Sequence, residues 1–151
     1  MASTRRISLK WHPKAVTIPS PHPSQEIRIL VVDDNALMRR SLRTLLEAQD
    51  NWKVCDEATD GREAVAKFNH EKFDVVVLDF QMPEMDGLEA AKQITRRSST
   101  TPILMVTMHS SPQLAVEARK AGIRGMCAKA DTKCVIEGVA AVLENKPYFQ
   151  N

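Results

Sequence analysis

The sequence predicts a single doubly wound α/β domain, (βα)5, in which five strands of a parallel sheet alternate with five helices. Between residues 27 and 143, short apolar runs rich in Val and Ile alternate with segments whose apolar residues recur at helical spacing. The strand runs lack polar alternation, which is typical of a parallel sheet covered by helices on both faces. A chain of 151 residues with 43% hydrophobic residues is long enough to bury one such core.

The chain begins with a segment of different composition. Residues 1–25 hold four of the eight prolines, four basic side chains and no acid, without helical or strand period. We expect a disordered, basic, Pro-containing extension here. The alternatives are an organelle transit peptide and an arm that Trp11 anchors on a partner.

Charge and cysteine content limit the functional classes. Only four of the 21 basic residues and none of the 19 acidic ones precede residue 26, so the rest of the chain carries a net charge of −2. A slightly acidic body argues against direct nucleic-acid binding. The three cysteines (Cys55, Cys127, Cys134) form no close-spaced pair, which fits a reducing compartment. No apolar run is long enough to cross a membrane, and we expect a cytoplasmic protein.

The first strand–helix unit starts at residue 27. Residues 27–32 form an apolar strand that stops at Asp33 and Asp34. The following helix has Met38, Leu42, Leu45 and Leu46 on one face and leaves its arginines mostly outward. These arginines are Arg39, Arg40 and Arg43.

The second and third units contain the centre of the sheet. Residues 54–58 form the second strand, and Asp60 then resembles a helix cap with a glutamate three residues later. Residues 75–78 are β-branched and apolar, and this run ends in the carboxylate of Asp79. A loop and the third helix follow. Ligands bind open α/β sheets at the carboxyl ends of strands, so Asp79 is the first candidate for chemistry.

The fourth and fifth units complete the alternation. Residues 103–107 form the fourth strand, and Ser111 followed by Pro112 is a typical helix start. Gly122 is well suited to end that helix. Residues 123–128 form the fifth strand, and valines line the last helix.

Polar residues at the strand ends are predicted to meet at one edge of the sheet. They are Asp33, Asp34, Asp79, Thr107 and Lys129. Singly, each has a structural explanation, such as a cap by Asp34 or a solvated loop lysine. Together, three carboxylates repel one another, and a bound Mg²⁺ would stabilise them because this ion prefers oxygen ligands.

Residues 27–146 resemble the receiver domain of two-component response regulators. The matching pieces are residues 29–34, residues 78–87, Thr107 and Lys129. This resemblance implies a flavodoxin-like fold with strand order 2-1-3-4-5, a domain over residues 26–147 and a tail over residues 148–151.

Residues 57–61 and 107–109 are most similar to receivers of the nitrate-type (NarL/FixJ) regulators. Those receivers normally precede a DNA-binding domain. Here the sequence stops about where that linker would begin, and we expect a receiver without a DNA-binding domain. A receiver fragment of a longer transcription regulator is the alternative.

The resemblance implies a role for each site residue. Asp79 would be the phosphoacceptor and would attack the phosphohistidine of a partner. Asp34 and Asp79 would bind Mg²⁺ directly, with the backbone carbonyl of Gln81 as a further ligand and Asp33 acting through water. Mn²⁺ could substitute for Mg²⁺.

The resemblance also implies partners and a switch. Lys129 would stabilise the phosphoryl oxygens, and the Thr107 hydroxyl would bind the product and alter the surface of the last two helices. A sensor histidine kinase or a histidine phosphotransfer protein would be the donor, and the output protein is unknown. A homodimer is also compatible with the sequence. The protein would be a signalling phosphoacceptor that assists its own phosphorylation and dephosphorylation, not an enzyme.

Three rival functions share parts of the pattern. A flavin-binding protein of this fold is disfavoured, because acidic strand ends would repel the FMN phosphate. An Asp-dependent Mg²⁺ phosphatase would need a second acid where Gln81 stands. A receiver-like scaffold without phosphorylation is disfavoured by the intact acidic set.

Three positions depart from the common receiver pattern. Met126 stands where an aromatic switch residue is frequent, and Ala130 replaces a proline that often follows a cis peptide bond. Met108 is larger than the usual neighbour of the threonine and could shield the phosphate. The first departure puts the usual aromatic switch in question.

Overall fold

The computed structural model of the chain describes residues 25–149, which form a parallel sheet of six strands with five helices. The strands are β1 (Ile27–Val32), β2 (Trp52–Ala58), β3 (Val75–Asp79), β4 (Ile103–Thr107), β5 (Gly125–Ala128) and β6 (Tyr148–Phe149). The helices are α1 (Ala36–Glu47), α2 (Gly61–His70), α3 (Gly87–Arg97), α4 (Pro112–Lys120) and α5 (Thr132–Leu143). Most of the predicted extension, residues 1–24, lies outside the described residues.

The helices cover both faces of the sheet, as the unbroken apolar strands predict. One core cluster joins the sheet to α2, α3 and α4, and a second joins it to α1 and α5. Every residue of β3 is buried, because this strand lies between β1 and β4 in the interior of the sheet. Between residues 25 and 149, no helix has the length and apolar character needed to cross a bilayer.

The predicted strand number was wrong by one. The observed order is β2-β1-β3-β4-β5-β6, so the order 2-1-3-4-5 is extended by a strand in the segment that we expected to be a tail. Two residues are too few to show a strand period in a sequence. β6 forms because the chain returns from α5 and pairs Tyr148 and Phe149 with Gly125 and Met126 of β5.

The helix starts follow local side-chain chemistry. Asp60 Oδ1 accepts from Glu63 N at 2.8 Å, and Ser111 Oγ accepts from Leu114 N at 3.0 Å. Both caps were predicted from sequence. For α1 the cap is Asn35 and not Asp34, because the Asn35 side chain accepts from Met38 N. The carboxylate of Asp34 is therefore available for another role.

Phe149 of β6 packs against the core cluster that contains Met126, and the guanidinium of Arg119 lies 3.9 Å from its ring centroid. We expect Phe149→Ala to lower the free energy of unfolding by about 2 kcal/mol, since it removes a half-buried aromatic ring. Urea denaturation measures this. Tyr148→Phe is the control and should cost less, because it removes only an exposed hydrogen bond to Glu137. Equal stabilities of wild type and Phe149→Ala would contradict the contribution of this ring.

Candidate functional site

Four strands deliver polar side chains to one edge of the sheet. Asp33 directly follows β1, Asp79 ends β3, Thr107 ends β4 and Lys129 directly follows β5. Asp33, Asp79 and Thr107 are almost fully buried, although all three are polar. Buried charges are costly unless they are paired or bind a metal, so this edge is the first place to look for function.

Lys129 contacts two of the acids. Its Nζ lies 2.8 Å from Asp33 Oδ2 and 3.1 Å from Asp79 Oδ1. The Lys129 backbone N–H also donates to the carbonyl of Thr107 at 2.9 Å. The lysine is thus held between the ends of β1, β3 and β4, where it partly neutralises the carboxylates.

Asp34 completes an acidic cluster. Carboxylate oxygens of Asp33, Asp34 and Asp79 lie within 4.8 Å of one another. Asp34 is exposed, and it lines an open cavity of about 470 Å³ together with Gln81. The cavity gives solvent and ligands a route to the cluster.

The loop after β3 forms the other side of this cavity. Gly87 N donates to the carbonyl of Phe80 at 2.8 Å, which brings the start of α3 against the end of β3. A Cβ at position 87 would collide with the carbonyl oxygen of Asp79 and lie 3.0 Å from the Phe80 Cα. The absence of a side chain at Gly87 therefore lets α3 begin directly against the end of β3.

The electrostatics of the site oppose a charge on Asp79. Burial raises the pKa of Asp79 above its ordinary value and the charge of Asp33 raises it further, while the hydrogen bond and charge of Lys129 lower it without cancelling the rise. For Lys129, burial lowers the pKa, but the carboxylates of Asp33 and then Asp79 outweigh burial and raise it. The lysine is held as a cation, while a further positive charge near Asp79 would be stabilising.

The donor set fits a hard divalent cation. All candidate ligands are oxygens, and three carboxylates face a single ammonium. Although Asp33 Oδ2 is close to Lys129, this buried oxygen has no partner with hydrogen-bond geometry among residues 25–149. It can accept a hydrogen bond from a water on a bound metal.

Thr107 is oriented toward the loop after β4. Its Oγ1 accepts from His109 N at 3.2 Å, and the residue itself is almost fully buried. Met108, between them in the chain, is 63% exposed at the start of this loop. Met126 of β5 is buried and pairs with Phe149 of β6 in the sheet. No peptide bond between residues 25 and 149 is cis, and this includes the bond before Ala130.

The sequence pattern missed two residues near the site. Arg39 and Arg43 were predicted to point mostly outward, but both contact Glu57 of β2. Arg39 also donates to the backbone carbonyl of Asp33 at 2.8 Å. A glutamate inside a strand was the one available signal, and its partners became visible only once α1 packed beside β2.

The raised pKa of Asp79 predicts a pH-dependent stability. In chelator, the folded protein binds the Asp79 proton more tightly than the unfolded chain does. Protonated Asp79 therefore contributes to the free energy of unfolding at low pH, and this stabilisation is lost as the pH rises through the folded-state pKa. Asp79→Asn should therefore raise the melting temperature at neutral pH and change it less at acidic pH. Melting curves of both proteins across pH measure this. An Asn variant less stable than wild type at neutral pH would contradict it.

Comparison with known proteins agrees with this geometry. A family model described as the response regulator receiver domain matches residues 29–139. The chain is 37% identical over 102 residues to the chemotaxis protein CheY of Thermotoga maritima, covering 68% of this chain and 84% of that protein. It is 34% identical over 124 residues to the response regulator UvrY of Escherichia coli K12, covering 82% of this chain and 57% of UvrY.

A solved structure shows the same likeness. A LuxR-family two-component response regulator from Aurantimonas sp. SI85-9A1 superposes with a TM-score of 0.79 at 30% identity, covering 82% of this chain and 89% of that one. The chain thus spans little more than half of UvrY and most of CheY. From the family model and these relatives together, the chain belongs to the response regulator receiver domain family, the phospho-accepting module of two-component signalling.

Proposed function

We propose that Asp79 is the phosphoacceptor of this receiver and takes a phosphoryl group from the phosphohistidine of a sensor kinase or a phosphotransfer protein. The observation that carries the proposal is the contact of one buried lysine with both Asp33 and Asp79. A cation fixed at this point would lie beside the phosphoryl oxygens once Asp79 is modified. The raised pKa of Asp79 also means that additional positive charge, such as a bound metal ion, would stabilise its carboxylate.

In the transfer step, a carboxylate oxygen of Asp79 attacks phosphorus in line with the histidine nitrogen. A phosphorus–oxygen bond forms, the phosphorus–nitrogen bond breaks, and its electron pair returns to the imidazole. Lys129 neutralises charge on the phosphoryl oxygens during this step. The Thr107 hydroxyl then donates a hydrogen bond to one of those oxygens.

Receiver domains generally use Mg²⁺, and the acids of this chain can hold it. Asp34 and Asp79 would bind directly, together with the backbone carbonyl of Gln81, while Asp33 would act through a water; Mn²⁺ could take the same place. When bound, the metal offsets the charge that accumulates on the phosphoryl group. Asp34 is suited to direct binding because it is exposed and not committed to capping α1.

The output would run through the loop after β4. If Thr107 turns to the phosphoryl group, its Oγ1 no longer accepts the hydrogen bond from His109 N, and the loop is released to rearrange around the site. The start of α4 moves in consequence. Because β6 covers the edge of β5, an output protein or a second copy that docks between α4 and α5 would meet β6 there. The rate at which the chain removes its own phosphoryl group would depend on water access past Met108.

The experiment is phosphorylation by acetyl phosphate with Mg²⁺, followed by intact-mass measurement and mapping of the modified residue. One long-lived phosphoryl group on Asp79 is the expected result. Steady release of phosphate over many turnovers would instead indicate the Mg²⁺ phosphatase. No modification, with Mg²⁺ binding confirmed by calorimetry, would overturn the proposal in favour of a scaffold.

A further inference from the structure

We propose that Arg39 is a positioning residue for the metal site: bridging Glu57 of β2 and the backbone of Asp33, it holds the Asp33–Asp34 turn in the orientation that binds Mg²⁺. The inference rests on the proposed function, since it assumes that Asp34 is a metal ligand. Arg39 itself would touch neither the metal nor the phosphoryl group.

The guanidinium of Arg39 makes two directed contacts. Its Nη1 donates to the carbonyl oxygen of Asp33 at 2.8 Å, and its Nε donates to Glu57 Oε1 at 3.0 Å. The side chain is only 16% exposed, so these bonds have little competition from water. A planar fork with fixed N–H directions can hold two acceptors at once, which the single ammonium of lysine does less well.

Glu57 is itself held in place, so it can fix the position of the Arg39 guanidinium. It belongs to β2, where it pairs with Val31 of β1, and its Oε2 also accepts from Arg43 Nε at 2.8 Å. Burial raises the pKa of Glu57, but the hydrogen bonds of Arg43 and Arg39 outweigh it and hold the pKa below the ordinary value. Glu57 therefore stays charged, and the sheet keeps it in place.

The contact with Asp33 controls the peptide unit that leads to Asp34. The Asp33 N–H donates to the carbonyl of Ala58 at 3.1 Å, and Asp33 Oδ1 accepts from Asn35 N at 2.8 Å. The remaining polar group of that backbone is the carbonyl that Arg39 holds. This carbonyl lies in the same rigid peptide plane as the Asp34 nitrogen and Cα. Fixing the carbonyl therefore fixes the plane from which the Asp34 side chain projects.

Asp34 depends on this support because it has little of its own. It is exposed, and its carboxylate makes no hydrogen bond or ion pair with any residue from 25 to 149. A ligand that is not held by its own contacts must be ordered through its backbone. Partners that orient metal ligands in this way commonly change metal affinity 10- to 100-fold when they are replaced.

A purely electrostatic role would have the opposite sign. The positive charge of Arg39 disfavours a cation nearby, so removing it would tighten Mg²⁺ binding if charge alone mattered. Removing the positioning contacts would weaken binding. The two roles are therefore distinguished by whether removing Arg39 raises or lowers the Mg²⁺ dissociation constant.

The test compares the Mg²⁺ dissociation constants of four proteins by calorimetry, with their melting temperatures in chelator. They are wild type, Arg39→Lys, Arg39→Met and Arg43→Lys. Arg39→Lys keeps the positive charge but loses the planar guanidinium that binds two acceptors, and we expect about 10-fold weaker Mg²⁺ binding. Arg39→Met should also bind more weakly. Arg43→Lys is the matched control: the substitution keeps a positive charge beside Glu57 and leaves both Arg39 contacts in place. Arg43 itself reaches Glu57 and the Val54 carbonyl but not Asp33, so the Mg²⁺ affinity of this variant should stay at the wild-type value.

Melting temperature separates positioning from general damage. If Arg39→Lys and Arg43→Lys lose similar stability and only the former loses Mg²⁺ affinity, the positioning role is supported. Wild-type affinity in Arg39→Lys, tighter binding in Arg39→Met, or equal losses in Arg39→Lys and Arg43→Lys would overturn it. If wild type itself bound no Mg²⁺, the proposed function would fail first, and this inference with it.

Discussion

Asp79→Asn is expected to abolish Mg²⁺-dependent phosphorylation while leaving the fold intact. The amide has nearly the shape of the carboxylate, but it lacks the anionic oxygen that attacks phosphorus. Since Asp79 lies at the end of a completely buried strand, an isosteric change should be accommodated without repacking. Intact-mass measurement after incubation with acetyl phosphate would detect no phosphoryl adduct.

The matched control is Asp60→Asn. Asp60 caps α2 and contributes no carboxylate to the cluster. Because asparagine is an equally good cap, this variant should be phosphorylated like wild type. Wild-type levels of phosphate on Asp79→Asn would show that another residue is the acceptor. Loss of phosphorylation in Asp60→Asn would show that the assay reports damage to the fold and not to the site.

Lys129→Met is expected to be the most destabilising change in the site. The Lys129 side chain is only 9% exposed and contacts two acids, so its removal leaves uncompensated charges on Asp33 and Asp79. Breaking a buried ion pair in this way typically costs about 3 kcal/mol or more. Added Mg²⁺ should recover part of the loss, because the metal supplies positive charge where the ammonium was. Urea denaturation in chelator and in Mg²⁺ measures both effects.

Lys67→Met is the corresponding control on a more open ion pair. Lys67 contacts Asp56 and Glu63, but its side chain is 32% exposed, and pairs of this kind contribute about 1 kcal/mol or less. Its stability should respond to Mg²⁺ as wild type does. A Lys129→Met protein as stable as wild type in chelator would contradict the assigned role of Lys129. An equal response of both variants to Mg²⁺ would contradict the link to the metal site.

The structure changes the description of the acidic cluster that the sequence predicts. Three carboxylates alone would repel one another, but Lys129 stands between two of them and offsets part of that repulsion. The remaining strain is concentrated on Asp79, whose pKa stays raised despite the lysine. This is why we expect opposite signs for two changes in one site: neutralising Asp79 stabilises the metal-free protein, and neutralising Lys129 destabilises it.

The sequence by itself determined the alternation of strands and helices, the burial of β3 and the convergence of polar residues at one edge of the sheet. Each of these follows from a local pattern: apolar period, turn chemistry and the rule that parallel strands end on the same side. The caps by Asp60 and Ser111 were likewise readable, because a cap involves residues only three positions apart.

Only the tertiary structure decided the features that join distant segments. Three such contacts connect residues of different elements: β6 pairs with β5, Lys129 forms an ion pair with Asp33, and Arg39 binds both Glu57 and the Asp33 carbonyl. Such contacts depend on which helix packs beside which strand and at what register, and no local period encodes this. The sequence also offered Asp34 as a cap of α1, whereas in the structure Asn35 caps this helix and Asp34 belongs to the acidic cluster.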